Sequence, residues 1–243
     1  GALYVGEITR ILRFDDIEAN LADPPAPTVV FDGFPNQTKH EKKFMKVGPD
    51  GLLYVAVGAD CNVCLPGNDL DGTIVRMGLD GSGMEVIARG VRNSVGFDWQ
   101  PGTGQLWFTD NGRDLMGDDV PPCEINRLDT VGQHFGFPFC HGASVIDPEF
   151  GAPDACAMAT AQRHEVQAHS SPLGMVFYDG DMFPEEYRGA LFVAEHGSWN
   201  RSRKVGYQVS VAEVVDGAVV GYRPFITGWL DPERDAFWGR PVD

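Results

Sequence analysis

Residues 51–60 read GLLYVAVGAD, and the phrase returns as GQLWFTDNGRD from Gly104 and GALFVAEHGSWN from Gly189, with GALYVGEITRILRF opening the chain at Gly1. Each copy is a turn glycine leading into a run of Leu, Val, Phe, Tyr or Trp, the pattern of a strand buried on both faces. A second strand follows three of the copies, in ITRILRF, GTIVRMGLDG and CEINRLD. Another precedes the glycine, in HEKKFMKVGPDG, SVGFDWQPGTG and LGMVFYDGDMFPEEYRG. The glycines at 1, 51 and 104 stand 50 and 53 residues apart, close to the size of one four-stranded propeller blade. The next interval is 85 residues, and its surplus holds GQHFGFPFCHGASVIDPEFGAPDAC. The Pro and Gly density of this stretch predicts an ordered loop insertion rather than a helix. A β-sandwich also has short strands at such spacing, but it has no reason to repeat one phrase in register. The expected fold is therefore all-β: a β-propeller of four-stranded blades, with roughly four blade-like units in one domain over residues 1–243.

Composition narrows the partners. The chain has 243 residues, 19 Lys and Arg against 35 Asp and Glu, and a net charge of -16. A nucleic-acid site needs a positive field that this chain lacks, so a neutral or cationic partner, or a bound divalent cation, fits better. No apolar run approaches a membrane span, and no signal peptide or lipid-anchor motif is visible. The chain opens inside a strand-like segment, so a leader could have been removed without trace. No G-x-G-x-x-G opens a helix after a strand, which speaks against a nicotinamide cofactor.

Five cysteines suit either compartment. Cys61 and Cys64 in CNVCLPGND could form a redox pair, half a zinc site or a structural disulfide. A zinc finger needs a second close pair, and Cys123, Cys140 and Cys156 are too scattered to supply one. The preferred reading is an exported protein with disulfides Cys61–Cys64 and Cys140–Cys156 and a free Cys123.

In a propeller, the loops joining strands gather at one end of the channel. The loops before successive G-x-L strands carry His40 and then Arg92 with Asn93. The loops after them carry Asp60, then Asn111 with Arg113, then residues 196–201, and Arg240 follows in FWGRP. Arginine forks suit carboxylates, exposed carbonyls suit a hard cation such as calcium, and a neutral histidine can take a proton. The ligand implied is an anionic molecule with several carboxylates, held partly by metal.

The segments HEKKFMKVGPDGLLYVAVGADCNVC, RGVRNSVGFDWQPGTGQLWFTDNGRD, PPCEINRL, HFGFPFCHG, SPLGMVFYDG and LFVAEHGSWNRS, taken in order, resemble the glucose/sorbosone dehydrogenase family, in particular its L-sorbosone dehydrogenase-like branch. That resemblance implies a six-bladed propeller, of which this chain lacks part of the N-terminal and C-terminal blades. It also implies pyrroloquinoline quinone (PQQ) and calcium as cofactors, a sugar or sugar aldehyde as substrate, an external electron acceptor, and a periplasmic or secreted location. By position His40 is similar to the family's general base, which takes the hydroxyl proton while hydride passes to the quinone. Arg92 and Asn93 match its quinone-contacting pair, Arg92 also stabilising charge on the reduced carbonyl. Asn111, Gly112 and Arg113 resemble the loop whose backbone carbonyls hold calcium, and Arg201 and Arg240 fall where the family places cations for the PQQ carboxylates.

Two departures stand out. Lys39 occupies the place where family glucose dehydrogenases carry an aspartate, so Asp60 is a candidate for orienting His40. A cofactor lysine expected near the AEHGSWNR strand is not obvious, since that place holds His196 and Arg201. His134, His141, His164 and His169 read as structural, and Trp199 either covers the cofactor plane or packs in a blade. Two other functions stay open: a non-catalytic or truncated propeller scaffold, and a calcium-dependent lactonase-like propeller hydrolase.

Overall fold

A computed structural model describes residues 1–243. Beside two small two-stranded ladders, the strands fall into four larger sheets taken one after another along the chain. The first holds β1 (Leu3–Gly6), β2 (Ile11–Phe14) and β3 (Thr28–Phe31). The second holds β4 (Met45–Val47), β5 (Leu53–Val57), β6 (Thr73–Met77) and β7 (Glu85–Arg89). In the third, β8 (Phe97–Trp99), β9 (Leu106–Asp110) and β10 (Cys123–Arg127) are joined, after an insertion, by β14 (His164–Val166). The fourth is β15 (Pro172–Phe177), β16 (Leu191–Glu195), β17 (Gln208–Val215) and β18 (Ala218–Ile226). Pairing within each is antiparallel between sequence neighbours. This is the blade arrangement of a β-propeller.

The recurring phrase is the second strand of each complete blade, and its burial has a simple cause. Along β5, Leu53, Val55 and Val57 join Ile11 and Phe34 in a core between the first and second sheets. The intervening Tyr54 and Ala56 join Phe97, Leu106 and Phe108 in a core between the second and third. In β9 the alternation repeats one sheet on: Trp107 turns the other way, into a core with Met175, Phe177, Leu191 and Val193 of the fourth sheet. Side chains alternate faces along a strand, so a strand between two sheets is apolar on both faces along most of its length, with buried Thr109 and Asp110 in β9 and Glu195 in β16 only at the end of the strand. The turn glycines of these copies, Gly51, Gly104 and Gly189, have φ of 77°, 68° and 78°, a left-handed backbone that L-residues adopt at a cost. That is why the phrase begins with glycine.

At the two ends of the array no sheet covers the outer faces. Leu3 and Val29 of the first sheet are 47% and 48% exposed. On the fourth, Phe192, Phe183, Tyr187 and Phe225 form an aromatic cluster of their own. β1 is an edge strand, so the opening copy of the phrase is not buried as the other three are.

The insertion between β10 and β14 is mostly loop, as its composition predicts, with two minimal ladder strands, β12 (Cys140–His141) and β13 (Val145–Ile146), and a single helical turn, α1 (Ala155–Met158). Its first part, β11 (Gln133–His134), pairs parallel to β7 and adds a fifth strand to the second sheet. Disulfides Cys61–Cys64 and Cys140–Cys156 form, and Cys123 is free and buried. After β18 a two-stranded hairpin, β19 (Leu230–Asp231) and β20 (Ala236–Phe237), leads to the last residues, where the Val242 carbonyl accepts the Gly174 N–H at 2.7 Å. No helix is long and apolar enough to cross a membrane.

Candidate functional site

The loops at one end of the second, third and fourth sheets enclose a cavity of about 220 Å³, lined by His40, Arg92, Asn93, Asn111, Gly112, Asp114, Cys123, His169, Ser171 and Trp199. Five of the residues singled out from sequence meet here: His40, Arg92, Asn93, Asn111 and Gly112. Among its lining residues, His40, His169 and Ser171 have left-handed φ of 48°, 66° and 58°. Strained backbone gathers at functional sites because only a packed surrounding holds it.

His40 is oriented through its own ring. Nδ1 lies 2.6 Å from the Ala59 carbonyl oxygen. A carbonyl only accepts, so Nδ1 carries the hydrogen and Nε2 keeps its lone pair. Asp60 acts one step back: its Oδ1 accepts the backbone N–H groups of Thr38 and Lys39 at 2.7 and 2.6 Å, fixing the loop rather than the imidazole. Burial first, and the Arg92 charge second, lower the His40 pKa from its ordinary 6.5 to about 4, against the pull of the Ala59 hydrogen bond. His40 is therefore neutral at pH 7. Between pH 6.5 and about 4 the unfolded chain binds a proton that the folded chain refuses, so this group's contribution to stability is lost as pH falls through that window. Urea denaturation across it is expected to show less pH dependence in His40→Asn than in the wild type.

Arg92 is 5% exposed. Its Nε donates to the Asn62 carbonyl at 2.8 Å, Nη1 to the Asn111 carbonyl at 3.0 Å and Nη2 to Asn62 Oδ1 at 3.0 Å, with Asp114 Oδ2 3.6 Å from Nη2. N–H capacity remains on both terminal nitrogens. Asp110, at the end of β9, accepts the backbone N–H groups of Arg92 and Asn93 at 2.8 and 2.6 Å, which explains why the Arg-Asn pair sits against β9. Asn93 uses only its backbone in the protein, so its amide is free at the cavity.

Three unengaged oxygens stand at residues 111–113. The Asn111 carbonyl is taken by Arg92, whereas its side-chain Oδ1 is buried with no partner. The carbonyls of Gly112 and Arg113 accept no hydrogen bond within the protein. No group of three or more His, Cys, Asp or Glu side chains is arranged to hold a metal, so amide and carbonyl oxygens are the donor set offered to a hard cation here. A second cavity of about 10 Å³ shares Arg92, Asn111 and Gly112 and adds Asp110, Glu124 and His141. Burial pushes the carboxyls of Asp110 and Glu124 up, and the Asp110 charge pushes Glu124 the same way.

The remaining three arginines point elsewhere. Arg113 pairs with buried Asp147, which also accepts from His141 Nε2 at 3.0 Å. Arg201 bonds the Asp118 carbonyl and Asp119 Oδ1. Arg240 bonds the His196 and Gly197 carbonyls and stacks on Tyr207 and Phe237. Sequence reading passed over Asp114 and Ser171 and took His169 as structural, whereas all three line the cavity. His169 lines the cavity with Nδ1 3.5 Å from Asp114, while its Nε2 lies 2.8 Å from the Gly117 carbonyl. Burial raises the Cys123 thiol to about 11, so it lines the site as an inert group. Trp199 stands at the mouth, 75% exposed.

Blade-like sheets stacked face to face, with a polar cavity built by the loops at one end, define a β-propeller. The chain belongs to the glucose/sorbosone dehydrogenase family, whose profile matches residues 6–200. It is 38% identical over 213 residues to an uncharacterized protein of Borreliella burgdorferi, covering 86% of this chain and 55% of that one. Its fold is similar to the holo form of the PQQ domain of a pyranose dehydrogenase from Coprinopsis cinerea (TM-score 0.73, 19% identity, 91% of this chain and 64% of that one). It is also similar to a calcium structure of a Trichoderma reesei carbohydrate-active enzyme of family AA12 (TM-score 0.78, 18% identity, 93% and 66%). A third similar structure is the PQQ-bound aldose sugar dehydrogenase of Streptomyces coelicolor (TM-score 0.63, 20% identity, 92% and 61%). The chain thus spans 55% to 66% of the length of these relatives.

Proposed function

We propose that the chain carries the site of a PQQ- and calcium-dependent dehydrogenase that oxidises a sugar or sugar aldehyde and passes electrons to an external acceptor. The observation that carries this reading is the unprotonated His40 Nε2, fixed by the Ala59 carbonyl, in one cavity with a buried arginine, a free Asn93 amide and the unpartnered Asn111 Oδ1. Those groups fit the quinone edge and a hard cation. When bound, PQQ supplies a quinone that accepts hydride, and calcium supplies a Lewis acid. Arg92 and Asn93 would hold the quinone, and Asn111 Oδ1 with the Gly112 and Arg113 carbonyls would hold the cation. Arg201 and Arg240 join them only where the loops that carry them release their present partners.

The protein's own part is proton transfer and charge placement. His40 Nε2 takes the substrate hydroxyl proton, and the Ala59 carbonyl keeps the resulting imidazolium in place. Arg92 would set a fixed positive charge beside the quinone edge it holds, in a site where burial makes that charge act more strongly than in water. The pyranose and aldose sugar dehydrogenases among the structural relatives support the substrate class, and the two disulfides support an oxidising, periplasmic or secreted setting.

A PQQ titration with and without calcium, followed by absorbance and calorimetry, tests the reading. Saturable binding that needs calcium is expected, and dye reduction with aldoses or sugar aldehydes should follow. Absence of binding would reject the dehydrogenase in favour of a propeller scaffold. A second expectation concerns Gly58, where a Cβ would lie 2.5 Å from His40 Cβ. Gly58→Ala should push the imidazole out of line and lower turnover by about 10²-fold, as a misplacement of about 1 Å does, with the loss read by steady-state kinetics.

A further inference from the structure

Asn62 lies between the two cysteines of the Cys61–Cys64 disulfide. It is bonded to two other loops at once. Its carbonyl accepts Arg92 Nε–H at 2.8 Å, and its side-chain Oδ1 accepts from Arg92 Nη2 at 3.0 Å and from the Asp114 backbone N–H at 2.8 Å. Its Nδ2 donates to the Asp114 carbonyl at 3.0 Å. Arg92 precedes β8 and Asp114 follows β9, so Asn62 ties together two walls of the cavity without lining it.

The geometry points to Asn62 as a positioning residue, one that aims the Arg92 guanidinium into the site and is itself held in register by the Cys61–Cys64 disulfide. Two of the three hydrogen bonds on that guanidinium come from Asn62; the third goes to the Asn111 carbonyl. Without the Asn62 side chain the fork loses its Nη2 bond, and residue 62 loses both bonds to Asp114 that hold its carbonyl against Arg92 Nε. The disulfide joins cysteines three positions apart. A loop so short adds little global stability, because the stabilisation grows with the length of chain enclosed. Its effect is local: it keeps the carbonyl and side chain of Asn62 turned toward Arg92.

This inference rests on the dehydrogenase reading for its functional consequence, though its structural core can be read in the free protein. The experiment follows, by low-temperature ¹⁵N NMR, the Arg92 Nη2 proton donated to Asn62 Oδ1, assigned by its loss in Arg92→Lys, alongside PQQ titration in calcium and thermal unfolding. In the wild type that proton should exchange slowly. In Asn62→Ala it should exchange like that of an exposed arginine, the PQQ dissociation constant should rise about 10- to 100-fold, as for lost supporting partners of a bound group, and the unfolding temperature should barely move. Asn62→Asp keeps the oxygen that faces Arg92 and should recover the slow exchange. Cys61→Ser/Cys64→Ser should move exchange and affinity the same way by less, and serves if Asn62→Ala does not fold. Slow Arg92 exchange persisting in Asn62→Ala or, where that fails to fold, in the double serine variant would overturn the proposal. A wild type that binds no PQQ would sink the dehydrogenase reading, while the exchange measurement would still decide what Asn62 does.

Discussion

His40→Ala is expected to lower dye-coupled turnover by about 10²- to 10⁴-fold, the usual loss when a general base is removed, while PQQ affinity stays within a few fold. The split follows from the geometry. His40 bonds only to the Ala59 carbonyl through its ring and offers the cavity a lone pair, whereas the groups suited to holding a cofactor belong to residues 92–93 and 111–113. Steady-state kinetics beside a binding isotherm separates the two effects. Unchanged turnover in His40→Ala would remove the imidazole from the mechanism.

Arg92→Ala should act on the whole protein. The side chain is buried beside Asp110 and Asp114, and its removal strips a partner from Asn62 and from the Asn111 carbonyl. Breaking a buried charged network from one side costs about 3–5 kcal/mol, a large share of the ~5–15 kcal/mol that a domain has. Urea unfolding should show this loss. Arg92→Lys keeps the charge but not the planar fork, so it should recover part of the stability and little of the PQQ affinity. Equal stability of Arg92→Ala and wild type would mean that the guanidinium is not the keystone these hydrogen bonds describe.

Much of this molecule can be read from its repeats. The phrase at Gly51, Gly104 and Gly189 identifies the doubly buried strands because sandwiching between sheets makes both faces of the strand apolar over most of its length, and a local pattern records that directly. Both disulfides and the free Cys123 followed from spacing, since a bridge over 3 or 16 positions is itself a local feature. The site was only partly legible. His40, Arg92, Asn93, Asn111 and Gly112 converge because equivalent loops of successive blades meet at one end. Asp114 and His169 reach the same cavity through contacts across 55 positions of chain, which no local pattern encodes. The side chains of Arg113, Arg201 and Arg240 have carboxylate or carbonyl partners that a motif match cannot reveal. Asn62 did have a signal, an amide residue held between two cysteines, but its meaning depends on where Arg92 lies.

The three cores joining consecutive sheets share no residue with one another. Each sheet is thus coupled only to its neighbours, as in a one-dimensional lattice in which stability is carried by interfaces rather than by a common centre. An element covered on both faces opens late. Native-state hydrogen exchange should find the amides of β5 and β9, buried along their whole length, opening later than those of the less buried β19–β20 hairpin. The cavity, set at the loop end of these interfaces, would share their persistence, and ligand binding would draw neighbouring sheets together.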